Sequence, residues 1–134
     1  NKKNKFLITL INELSKKYKI CVIGEKISKI KNITNMGYIS RKKALEMINK
    51  SKASVSTYEN LFSFYLLDCL RYKLIVFYNK EFKPKSTINT KLLIPINFKN
   101  PQKAIKTIKK TINKKISKKI SYENQCFNNY FKIH

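Results

Sequence analysis

The residues best suited to chemistry lie in one stretch, Ser56-Thr57-Tyr58-Glu59-Asn60-Leu61-Phe62-Ser63-Phe64-Tyr65-Leu66-Leu67-Asp68-Cys69-Leu70. Glu59 stands where a short strand-forming run gives way to a helical pattern, and Asp68 follows just over two turns along that helix. The first turn of a helix leaves backbone N–H groups without partners and carries the positive end of its dipole. The N–H groups of Asn60, Leu61, Phe62 and Ser63 therefore form a ready anion site. A diphosphate held there would have a carboxylate on either side, suited to the hydroxyls of a sugar and of a ribose. The same residues admit a plainer account, with Glu59 capping the helix and Asp68 on a solvated face. Asp68 is flanked by Leu66, Leu67, Cys69 and Leu70, where a purely solvated acid is less expected. The residues alone leave both accounts open.

Other chemistries have little footing. There is no P-loop, no H-E-x-x-H helix and no nucleophile elbow in the sequence. Cys21, Cys69 and Cys126 are widely spaced, form no C-x-x-C pair and sit among apolar neighbours, which suits buried reduced thiols better than disulfides or zinc. His134 is the single histidine, and its terminal position favours a tail over catalysis. No metal site is expected.

Charge is the dominant compositional feature: +23 over 134 residues, with only Arg41 and Arg71 besides the lysines. Lys, Ile and Asn are all abundant and Gly is nearly absent, a pattern that codon bias toward A and T explains at once. A dedicated nucleic-acid reader would set Arg at base edges with aromatics beside it, so no specific nucleic acid is expected as a partner. The charge still implies weak, salt-dependent attraction to polyanions and to anionic membrane surfaces. The longest apolar run, 62–70, is interrupted by Ser63 and Asp68 and falls far short of the roughly 20 residues that span a bilayer. No charged segment followed by a long apolar stretch opens the sequence as a secretory leader would, and a cytoplasmic setting is expected.

The elements that must position these residues alternate. Leu7, Leu10, Ile11, Leu14 and Tyr18 predict a helix over 4–17, and the apolar run 19–24 a buried strand ending in Gly24. A strand over 33–39 is followed by Ser40 as N-cap of a helix over 41–50. Strands at 53–57 and 74–78 enclose an apolar helix at 61–72. A loop over 81–90 leads to a strand at 92–97, which Pro95 demotes to a sheet edge. A helix from Pro101 to about 113, a basic connector over 114–119 and an amphipathic helix over 122–132 complete the chain. Strands alternating with helices across short loops predict one α/β domain, with a doubly wound, Rossmann-like parallel sheet and helices on both faces. Such sheets bind ligands at the carboxyl ends of their strands.

The stretch around Glu59 resembles the C-terminal domain of retaining glycosyltransferases of the two-domain GT-B architecture. In that family a strand ends in Pro-Ser or Thr-Ser, followed by glutamate, seven residues, and a second glutamate. Thr57-Tyr58-Glu59 is similar to the entry, and Asp68-Cys69-Leu70-Arg71-Tyr72 with the strand after it to the exit. Asp68 replaces the second glutamate one residue further on, and Asn60 to Ser63 stand where the family has loop glycines. Residues 20–24 followed by Met36-Gly37-Tyr38-Ile39 resemble the strand-plus-Gly and Gly-aromatic turn that line the base pocket. Lys3 resembles the lysine that holds the diphosphate at the opening of the first helix.

The resemblance implies a donor substrate, a nucleotide-diphosphate sugar, and no metal or other cofactor. It implies that Glu59 contacts the donor sugar and acts as the catalytic residue, that Asp68 binds the ribose and that Tyr38 lines the base pocket. Lys3 and the N–H groups of Asn60 to Ser63 would hold the diphosphate. The acceptor, a glycan or a lipid-linked sugar, would bind through a separate N-terminal domain. The family's first strand precedes the lysine and is central, so an upstream strand is expected, without which the sheet would carry an apolar slot. The alternative is a non-enzymatic basic α/β module that binds nucleic acid or an anionic surface.

Overall fold

The structure, a computed structural model, describes residues 2–56, 64–82, 90–120 and 130–133. Helix α1 covers Lys2–Ser15, strand β1 Lys19–Ile23, β2 Thr34–Gly37, α2 Arg41–Asn49 and β3 Ala53–Val55. Then follow α3 Phe64–Arg71, β4 Ile75–Asn79, a 3₁₀ turn Thr90–Leu92, β5 Leu93–Ile96, α4 Pro101–Ile120 and β6 Tyr130–Ile133. The expected helices and strands are therefore present up to the middle of α4. Ser40 caps α2 as its sequence predicts, its Oγ accepting from the Lys43 N–H at 3.2 Å.

The strands form one six-stranded sheet in the order β2-β1-β6-β3-β4-β5, and every pairing is parallel. With β6 counted as the first strand, this is the doubly wound order 3-2-1-4-5-6 of dinucleotide-binding folds. The chain is an α/β protein of Rossmann-like topology. Pro95 lies on β5, an edge strand, where its missing N–H breaks no ladder.

The main correction concerns the slot in the sheet. The segment expected to end the chain as a helix over 122–132 instead supplies β6 over its last part, while residues 121–129 lie outside those described. Tyr122, Cys126, Phe127, Tyr130 and Phe131 recur at helical spacing, but Tyr, Phe and Ile are also good strand formers. Tertiary context decides between the two: the facing edges of β1 and β3 offer β6 two ladders at once. Ile20 and Ala53 both pair with Phe131, and Cys21 and Ser54 both pair with Lys132. No upstream strand is needed to close the sheet. The second correction is the run 114–119, which is helical and not a connector. Lysine is a good helix former, and Ile112, Ile116 and Ile120 keep the four-residue spacing through it.

Two cores flank the sheet. Helices α1 and α4 pack on one face, where Leu10, Ile11, Leu14, Ile105, Ile108 and Ile112 meet Ile20, Val22, Ala53, Val55, Phe77 and Ile96. Helices α2 and α3 cover the other, where Ile48, Leu66 and Cys69 meet Leu74, Val76, Tyr78 and Leu93. Cys21 and Cys69 are buried, as their apolar neighbours suggest.

Candidate functional site

In a parallel sheet every strand points the same way, so each strand-to-helix loop opens on the carboxyl edge. Helices α1, α2 and α3 each turn back into the following strand within three residues, which sets their amino ends at that edge too. Among the described residues, the edge is most distinctive at β1 and β2.

The sequence has only two glycines, and both sit there. Gly24 follows β1 with φ of 100°, and Gly37 ends β2 with φ of 69°. Both lie in the left-handed region that L side chains rarely adopt. The Gly24 N–H donates to the Gly37 carbonyl at 2.9 Å, tying the two turns together. A Cβ at Gly24 would meet nothing within 4 Å, so conformation and not crowding requires the glycine. The loop between the strands is clamped by Asn35, whose Oδ1 accepts from the Ile27 N–H at 2.9 Å and whose Nδ2 donates to the Ile27 carbonyl at 3.0 Å. Ile30 anchors the same loop in the core.

Tyr38 follows Gly37 directly and is 88% exposed. A large aromatic held out from a left-handed turn at the edge of a parallel sheet offers a flat face to a planar ligand. The aliphatic stem of Lys26 lies close by, its Cε 3.6 Å from where a Gly37 Cβ would stand.

Further along the edge, the first residue of α2 meets α3. The Arg41 Nη2 donates to the Asp68 Oδ1 at 3.2 Å, with the Asp68 side chain only 13% exposed. Asp68 is thus neither a solvated acid nor a free one: it is held between helices by a cation from the carboxyl edge. Spacing along the chain gives no hint of Arg41, because the pair joins residues of two different helices. Its signal is rarity, one of two arginines in a chain where lysine is the default cation.

The sequence-derived residues are distributed as follows. Tyr38 and Asp68 are found as described. Lys3 lies in the first turn of α1, whose amino end belongs to this edge. Glu59, Asn60, Leu61, Phe62 and Ser63 lie outside the described residues. Ser56, the last described residue before them, is buried at the carboxyl end of β3, with its N–H donating to the Phe77 carbonyl at 2.8 Å. Among the described residues no group of three or more His, Cys, Asp or Glu could hold a metal ion, and no helix is long and apolar enough to cross a membrane. No protein-family model, curated protein or solved structure matches the chain.

Proposed function

We propose that this chain binds a nucleotide-diphosphate sugar at the carboxyl edge of its sheet, as the donor half of a retaining two-domain glycosyltransferase. The observation that carries this reading is the pairing of the two glycine turns beside exposed Tyr38, at the ligand-binding edge of a sheet with dinucleotide-fold strand order. In it, Tyr38 faces the base, and the amino ends of α1 and α3 hold the diphosphate, with Lys3 stabilising the leaving group electrostatically. Asp68, oriented by Arg41, takes the ribose hydroxyls. Glu59 contacts the sugar. Acceptor binding belongs to a further domain, the acceptor is a glycan or lipid-linked sugar, and the setting is the cytoplasm.

Titration with UDP- and GDP-sugars, followed by thermal shift and calorimetry, tests the reading. Saturable binding is expected, with a stabilisation of about 2.7 kcal/mol at a hundredfold excess over Kd. It should disappear in both Glu59→Ala and Asp68→Ala. Binding only to CDP-linked polyols would move the chain to polyol-phosphate transfer. No binding to any of these donors would sink the donor site.

A further inference from the structure

The two faces of the sheet differ in charge, and the outer surface of one of them lies away from the carboxyl edge where the donor would sit. Helix α4 carries eight lysines among its twenty residues and no acid. Lys103, Lys106, Lys110 and Lys114 are all exposed, at spacings of three, four and four residues, so they form one outward stripe opposite buried Ala104, Ile105, Ile108 and Ile112. Beside it, α1 contributes exposed Lys5, and the turn after it exposed Lys16 and Lys17. The Lys17 Nζ donates to the Asn113 Oδ1 at 3.3 Å, which joins the far end of α1 to α4 and merges their cations into one field. Glu13 is the single acid of the two helices. Lys16 engages it at 2.9 Å, and that hydrogen bond holds its carboxyl below the ordinary range.

We propose that the α1/α4 face is a docking surface for an anionic lipid bilayer. The four exposed lysines run along about 17 Å of α4, a straight row on a flat layer that matches a plane of lipid phosphates. Nucleic-acid recognition draws on arginine forks and stacking aromatics. Among the described residues this face has neither: Arg41 and Arg71 belong to α2 and α3, and the exposed large apolar residues Tyr38, Leu67 and Tyr72 all lie off it. With no exposed large apolar residue among the described residues of the face, adsorption is reversible and falls steeply with salt. Docking by this face leaves the carboxyl edge of the sheet at the flank, open to solvent. The proposal is independent of the donor reading.

Co-sedimentation with vesicles of phosphatidylglycerol and phosphatidylcholine, across a salt series, tests it. The variant Lys103→Gln/Lys106→Gln/Lys110→Gln/Lys114→Gln is compared with Lys42→Gln/Lys43→Gln/Lys50→Gln/Lys80→Gln, which removes the same charge elsewhere. The first should lose on the order of a thousandfold in vesicle affinity, and the second less than about tenfold. On the unaltered chain, lysine acetylation in the presence of vesicles should spare Lys103, Lys106, Lys110 and Lys114. Equal losses in the two variants would reduce the effect to net charge and overturn the proposal. So would no vesicle binding, acetylation unchanged by vesicles, or a first variant that loses only poly-U RNA binding while vesicle binding persists.

Discussion

The two helix layers solve the same packing problem with different means. Under α1 and α4 the apolar cluster draws on β1, β3, β4 and β5, reaching across the sheet on both sides of β6. Under α2 and α3 the cluster rests on β4 and β5 and is smaller among the described residues. The outer surfaces differ in the same sense. The α1/α4 layer tolerates near-exclusive positive charge, whereas α2 and α3 offset half of Arg41, Lys42, Lys43 and Arg71 with Glu46 and Asp68 and are linked by an ion pair. A large buried interface supplies several kcal/mol per fully enclosed Leu or Ile pair, enough to absorb the repulsion of a lysine row. The smaller interface lies beside the candidate site and gains a polar link across the helices.

That contrast can be broken at three points. Removing residues 130–134 deletes β6, which joins the β2-β1 and β3-β4-β5 halves of the sheet. Calorimetry should then show no cooperative thermal transition, and a retained sharp transition would mean the halves need no bridging strand. Next in size, Ile108→Ala in the larger cluster should cost about 4 kcal/mol and Leu66→Ala in the smaller one about 2 kcal/mol, read from urea unfolding. Equal costs would erase the distinction between the layers. The smallest effect concerns the polar link: Arg41→Ala, Asp68→Ala and the double variant should give a coupling of about 1 kcal/mol or less, since the Arg41 side chain is 69% exposed. A coupling above about 2 kcal/mol would make the ion pair and not packing the main tie between α2 and α3.

Much of the fold was legible because period and punctuation agreed. Leu10, Ile11 and Leu14 mark the buried face of α1, Ser40 starts α2, and Pro95 marks an edge strand. Local signals failed where two of them competed. Lysines at 114–119 read as a connector although they favour helix, and Tyr130 to Ile133 fit a helical period as well as a strand. The candidate site was legible in part. Gly24, Gly37 and Tyr38 stand out in a chain so poor in glycine, and Asp68 stands out among apolar neighbours. Arg41 did not, because its partner is 27 positions away and reaches it only through helix packing.

By itself the sequence determined most of the alternation of elements, the burial of each apolar face and the glycine that ends β1. These follow from side-chain period and from the backbone freedom of glycine, which are local properties. Only the tertiary structure decided that the last strand lies at the centre of the sheet and that Arg41 engages Asp68. Both depend on edges and faces contributed by segments far apart in the chain. No local pattern encodes the hydrogen-bonding capacity that β1 and β3 jointly leave for β6.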